Sequence, residues 1–254
     1  MSDKRIGIAL GGGGTRGFAH LGVLKFLEEE GIVPNIFAGT SAGAIVGALL
    51  ASGKSADEVF DIMKKNKLTD FAKIKLPING FMSLDSMGKK LQEMLPGENF
   101  SDLKYPFYAA ATNIYTGKIE YISEGNVAEA VKASSSIPII FSPVQINGQL
   151  YVDGGLIDNV PIEPLEDKCD KIIAVEIMPL EEVTEVNKMT DIAERIFHIS
   201  VKSLNEEKLK KCDLCIKVGG LEGYNILDSS HADEVYEIGY EYAKKLDLEQ
   251  FKNI

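Results

Sequence analysis

Twice within its first 51 residues the chain runs from a short apolar stretch, through glycine, into a helical pattern, and this constrains the fold more than any other feature. Arg5 to Leu10 is an apolar run bounded by glycines, as a buried strand requires. Phe18 to Glu30 then places Leu21, Leu24 and Leu27 at helical spacing, and Gly31 stops it. Ile36 to Ala38 is a second strand-like run, followed at once by a small-residue helix from Ala42 to Ala51. Strands separated by helices pair in parallel, because a parallel connection needs a crossover.

The rest of the chain continues the alternation. Ser55 with Glu58 predicts a capping box, and Asp85 to Leu95 a helix. Phe107 to Thr112 and Lys118 to Ser123 read as strands around an Asn113 to Gly117 turn. Val144 to Ile146 and Leu150 to Val152 flank Asn147-Gly148, a strong hairpin signal that delivers Asp153-Gly154-Gly155. Lys171 to Ile177 and Leu214 to Val218 are further strands, with an amphipathic helix expected over Asp191 to Lys211 and a closing helix over Ala232 to Leu246. The expected class is α/β, with three α/β/α layers around a mostly parallel sheet. With 254 residues, 45% of them hydrophobic, one domain over residues 1–254 is expected.

Two classes of partner are disfavoured by charge. A formal net charge of −11 argues against nucleic acid and against a purely electrostatic grip on anionic lipid. One region departs from that balance: Lys64, Lys65, Lys67, Lys73, Lys75, Lys89 and Lys90 alternate with Phe71, Ile74, Leu76, Phe81, Met82 and Leu84. It reads either as a lid, at about residues 63–95, that makes transient contact with a membrane surface, or as a solvated face over core contacts. The opening residues lack the apolar core of a secretory signal, and no run approaches the ~18 apolar residues of a membrane span, so a cytoplasmic protein is expected. Cys169, Cys212 and Cys215 give no disulfide framework, and one Cys-x-x-Cys without a second pair makes no metal set. Neither metal nor cofactor is expected.

The chemistry centres on Gly39-Thr40-Ser41-Ala42-Gly43, a serine flanked by glycines between a strand and a helix. This is the pattern of a nucleophile elbow, whose turn is too sharp for larger flanking residues. The helix that follows turns its positive end toward the serine. The competing reading is a tight strand-to-helix turn without chemistry.

Gly11 to Gly14, with Thr15, Arg16 and Gly17, follows the first strand and opens the first helix, so its N–H groups can face an anion. Gly12-x-Gly14-x-x-Gly17 fits a dinucleotide fingerprint, yet the place where that fingerprint expects an acidic residue holds Gly39-Thr40-Ser41. The oxyanion of a tetrahedral acyl intermediate fits better, since one loop would then donate N–H groups and its neighbour present a hydroxyl. A glycine turn that only packs helix on strand is the third reading.

A serine hydroxyl needs a base. His20, early in the first helix, His198, in mid-helix, and His231, in a polar loop, are the histidine candidates. Asp153 is the rival, although a carboxylate at its reference pKa of ~3.9 is a weak base unless desolvated. Ser134, Ser135 and Ser136 are further hydroxyls that lack an elbow.

Four ordered blocks carry a resemblance: residues 12–24 (GGGTRGFAHLGVL), 39–43 (GTSAG), 133–138 (ASSSIP) and 153–161 (DGGLIDNVP). From Ile6 to about Ile177 the chain resembles the bacterial patatin-like phospholipases. That resemblance implies a patatin-like fold and a lipid acyl hydrolase with a Ser–Asp dyad, Ser41 as nucleophile and Asp153 as base. It further implies an oxyanion hole of Gly12, Gly13 and Gly14 with Arg16 beside it, and Gly17, Gly39, Gly43, Gly154 and Gly155 as motif glycines. The expected partner is a lipid or other acyl ester. The alternative is a non-catalytic α/β protein that binds a ligand or nucleotide through the same glycine loop.

Overall fold

The computed structural model describes residues 4–67, 82–178 and 207–251, with helical positions 192, 195 and 199. Most of the expected helix over Asp191 to Lys211, and the centre of the lysine-rich stretch, lie outside the described residues.

In chain order the elements are β1 (Ile6–Leu10), α1 (Phe18–Glu29), β2 (Ile36–Gly39), α2 (Ala42–Ala51), α3 (Ala56–Asn66), α4 (Asp85–Met94), β3 (Phe107–Asn113), β4 (Lys118–Ile122), α5 (Val127–Ser134), β5 (Val144–Ile146), β6 (Gln149–Asp153), β7 (Lys171–Glu176), β8 (Leu214–Lys217) and α6 (Ala232–Ala243). The capping box forms as expected: the Ser55 N–H donates to Glu58 Oε2 at 2.8 Å, and the Glu58 N–H to Ser55 Oγ at 3.3 Å. Asn147 and Gly148 both take positive φ, 49° and 78°, the backbone that a two-residue hairpin needs. Helix α5 has no counterpart in the sequence reading. Its start is set by Asn126, whose side chain accepts the Glu129 N–H at 3.0 Å.

All described strands join one sheet in the order β5-β6-β3-β2-β1-β7-β8, with β4 on the other edge of β3. β3, β2, β1, β7 and β8 run parallel, and β4, β5 and β6 are antiparallel additions. The sheet is therefore mixed around a parallel centre. The antiparallel strands follow from the short turns at 114–117 and 147–148, which leave no room for a crossover.

Successive residues of the central strands point into two different cores. Ile8 and Leu10 of β1, Phe37 of β2 and Ile173 and Val175 of β7 join a large cluster with α1, α2, α3 and α6. Ala9, Ala38, Ile172 and Ala174 join a second cluster with Val160, Ile162, Leu165 and Leu209. Both faces are thus covered, which is why these strands read as continuous apolar runs. Helix α6 sits directly on α1: side chains at Gly22 and Gly239 would collide with the carbonyls of Tyr236 and Ala19, respectively.

Candidate active site

Strand β3 assembles the site. Its Ala109 pairs with Ile122 of β4 on one edge and with Gly39 of β2 on the other; two residues on, Ala111 pairs with Glu120 of β4 and with Asp153 of β6. β2 and β6 therefore share one edge of β3 and run toward each other along it. Their C-terminal ends stop two residues apart, about 7 Å along the strand. One end leads into Ser41, and the other ends at Asp153.

Ser41 caps α2 with φ 52° and ψ −119°, a backbone state that costs a non-glycine residue about 1–3 kcal/mol and collects at functional sites. The glycines around it are sterically required. A Cβ on Gly39 would strike the Gly43 carbonyl, and a Cβ on Gly43 the Leu10 carbonyl. The strained peptide is held by a residue whose role the sequence left open: the Ser41 N–H donates to the buried Ser134 Oγ at 2.9 Å. Two residues on, the Ser136 carbonyl accepts the Asp153 N–H at 2.9 Å. The 134–136 segment therefore ties the two ends together.

Asp153 is 1% exposed. Its Oδ1 accepts the Gly155 N–H at 2.8 Å, and its carbonyl accepts Thr112 Oγ1 at 3.0 Å. Burial pushes the carboxyl up to about 7, opposed by the Gly155 N–H and by the Ser41 hydroxyl. Oδ2 is buried with no partner of full hydrogen-bond geometry among the described residues. The Ser41 hydroxyl thus favours the carboxylate through a loose contact, of the kind that tightens when substrate is seated.

The glycine loop faces this pair. A Cβ on Gly12 would stand 3.2 Å from the Ser41 Cβ. The Gly12 N–H is engaged, however, donating to the Asn159 carbonyl at 3.3 Å and to Asn159 Oδ1 at 3.2 Å. Among the described residues the N–H groups of Gly13 and Gly14 meet no acceptor, nor does that of Ala42, the residue after Ser41. Arg16 is tied to the 221–226 loop: its Nε donates to the Tyr224 carbonyl at 3.2 Å and its Nη2 to the Glu222 carbonyl at 3.4 Å. Thr15 grips the same loop through Asn225 and Ile226. The narrow cleft between the loop and the Ser41–Asp153 pair, with a free volume of about 10 Å³, is walled by Ile137, Met178 and Ile226.

The histidines separate by environment. His20 is fully buried and directs Nε2 at the Gly11 carbonyl, 2.7 Å away, while burial lowers its pKa to about 4. It is a neutral donor that supports the glycine loop, with the tautomer set by that carbonyl. His231 is exposed beside Glu234, whose carboxylate raises its pKa. His198 lies outside the described residues. Cys169, Cys212 and Cys215 are free thiols packed against the second core, and burial pushes the first two up to about 11 and about 12. Ser134 was read only as a spare hydroxyl, and Ala42 and Asn159 were given no part of their own. Ser134 and Asn159 lie inside quoted blocks, but nothing in a linear pattern shows which backbone group they grip.

Comparison with known proteins bears on the family and the fold. Lysophospholipase nte1 of Aspergillus fumigatus is 28% identical over 286 residues, covering 100% of this chain and 19% of that protein. Lysophospholipase NTE1 of Saccharomyces cerevisiae is 28% identical over 281 residues, covering 96% of this chain and 16% of the relative. The chain therefore spans less than a fifth of the length of these relatives, which are fungal where a bacterial likeness was expected. Among solved structures, VipD from Legionella pneumophila superposes with a TM-score of 0.59 at 15% identity, covering 96% of this chain and 66% of that one, and shares the fold. The family described as patatin-like phospholipase matches residues 8–166, more than half of the chain, including the elbow, the glycine loop and Asp153. The chain belongs to the patatin-like phospholipase family.

Proposed function

We propose that this chain is a lipid acyl hydrolase that works through a Ser41–Asp153 dyad, with a long-chain monoacyl phospholipid as its preferred ester. The observation that carries the reading is the meeting of a strained serine with a fully buried carboxylate whose free oxygen lacks a full partner. Ser41 Oγ attacks the ester carbonyl carbon while Asp153 takes its proton. The N–H groups of Gly13 and Gly14, with Ala42 as third donor, hold the oxyanion. Collapse of the tetrahedral intermediate passes the proton from Asp153 to the leaving alcohol. Water then enters, gives its proton to Asp153, attacks the acyl-enzyme and releases the fatty acid as Ser41 is reprotonated.

The substrate class is supported by the lysophospholipase names of the relatives and by the apolar walls of the cleft. We read the chain as one hydrolase domain, with residues 63–95 as its cap and the cytoplasm as its compartment. Flotation with liposomes tests the cap; binding that survives lysine-to-glutamate changes at Lys64, Lys89 and Lys90 would remove it. A fluorophosphonate probe and a p-nitrophenyl ester test the dyad. Ser41→Ala should abolish labelling, and Asp153→Asn should reduce turnover by a factor of about 10²–10⁴. Near wild-type turnover in either variant sinks the dyad, and its loss in His198→Ala or His231→Ala would install a histidine base.

A further inference from the structure

We propose that Asn159 is the positioning residue of the glycine loop and that the Asp158–Lys208 ion pair holds it in register, an inference that rests on the reading of Gly13 and Gly14 as oxyanion donors. Asn159 grips the backbone of one residue at both of its polar groups. Its Oδ1 and its own carbonyl share the Gly12 N–H at 3.2 and 3.3 Å, while Nδ2 reaches the Gly12 carbonyl at 3.5 Å. A Cβ on Gly12 would lie 2.6 Å from Asn159 Oδ1, so any side chain there would displace the Asn159 amide from this grip. With the N–H and carbonyl of Gly12 both fixed, the next two peptides are set by short-range geometry. Their N–H groups are the ones without acceptors among the described residues.

Asp158 connects the same point to the other two loops. Its N–H donates to the Gly154 carbonyl at 2.8 Å, and its carbonyl accepts Thr40 Oγ1 at 3.0 Å. Residues 158 and 159 thus touch the residue before Ser41, the residue after Asp153 and the glycine loop. Their anchor lies on the far side. Asp158 Oδ2 accepts from Tyr121 Oη at 2.7 Å and from Lys208 Nζ at 2.5 Å, and Lys208 also stands 3.7 Å from Glu163. The paired side chains of Lys208 and Asp158 are only 14% and 5% exposed. A carboxylate buried this deeply needs its cation, since removing one partner of such a pair strands the other charge. Lys208 lies beyond residue 166, where the family match ends, so the C-terminal part of the chain supplies the countercharge for a dipeptide inside the matched region.

The experiment uses the full chain, p-nitrophenyl butyrate, and a trifluoromethyl ketone of matching chain length, whose serine adduct bears an oxyanion. Folded Asn159→Ala is expected to lose kcat by about 10- to 100-fold, with KM within about threefold and the ketone weakened by a similar factor to kcat. Asn159→Asp keeps an acceptor for the Gly12 N–H and loses the donor to its carbonyl, so a smaller loss is expected, and it serves as the reading if the alanine variant does not fold. Lys208→Met should lower kcat in the same way, and Asp158→Asn with Lys208→Met, which removes both charges, should recover most of it. Wild-type kcat and ketone affinity in the Asn159 variants would overturn the positioning role. Unchanged kcat in Lys208→Met would overturn the coupling. A wild-type chain that neither hydrolyses the ester nor labels with fluorophosphonate would instead overturn the hydrolase reading, and this inference with it.

Discussion

At the scale of single residues, Asp153 links function to stability. Burial raises its carboxyl to about 7, whereas an unfolded aspartate titrates near ~3.9. As the base of the proposed dyad it must be ionised, so kcat/KM should fall on the acid side with an apparent pKa near 7, measured on a soluble ester; a limb near ~4 would contradict the desolvated base. The same shift makes the folded state hold a proton that the unfolded state releases between about pH 4 and about pH 7. The stability contributed by this group is present below about 4 and lost as pH rises through about 7. Asp153→Asn removes the titration. It should raise Tm relative to wild type at pH 8, by ~2–4 °C for each kcal/mol gained, and the gap should close toward pH 4. Equal melting temperatures at pH 8 would show that the buried charge costs nothing. Ser134→Ala belongs to the same scale. It strands a buried N–H in a strained peptide, with a penalty of about 1–3 kcal/mol, and should slow fluorophosphonate labelling of Ser41 in folded protein. Labelling at the wild-type rate would limit Ser134 to packing.

At the scale of elements, what was legible depended on whether backbone sterics or tertiary contact decided it. The elbow was legible because Gly39 and Gly43 are demanded by carbonyls on α2 and β1, and the hairpin because Asn147-Gly148 is the residue pair that tolerates positive φ at both places. Helix α5 was not, since Val127–Ser134 is only eight residues and ends in a serine run that also suits a loop. The part played by Asn159 was hidden as well, because its bonds to Gly12 cross 147 residues and leave no mark in a local pattern. His20 was decided by burial, a property of the packed molecule. The loop over residues 221–226 carries a prediction of its own. It is clamped by Thr15 and Arg16 and places Ile226 against the cleft. With a free volume of about 10 Å³ that cleft is far smaller than the ~300–1,000 Å³ of ordinary small-molecule sites, so an acyl chain of lipid length needs a wall to give way. Ile226→Ala should raise kcat/KM on p-nitrophenyl palmitate relative to the butyrate by about tenfold, the worth of ~1.4 kcal/mol. An unchanged ratio would place the acyl chain elsewhere.

At the scale of the whole molecule, the family match ends at residue 166, yet the sheet and core do not. β7 lies between β1 and β8, so the parallel centre is closed by strands beyond the match. Helix α6 then covers α1, the helix that begins where the glycine loop ends, and shares its core with Leu21 and Leu24 through Val235. The two helices approach so closely that Gly239 lies against the backbone of Ala19 and Gly22 against that of Tyr236. A side chain at 239 would meet fixed backbone rather than a flexible neighbour, so it must push α6 off α1. Such overpacking typically costs about 1–3 kcal/mol, and backbone clash lies at the upper end. Gly239→Val should therefore lower Tm by several degrees, at ~2–4 °C per kcal/mol. Because α1 begins at Phe18, directly after the loop, the displacement should also reduce kcat on a short ester more than Lys244→Ala, a change on the exposed side of the α6 C-terminus. If Gly239→Val melts with the wild type, α6 is not docked as closely as its glycines require. Should it melt early while the remaining folded fraction keeps full kcat, the C-terminal helix supports the fold without setting the glycine loop.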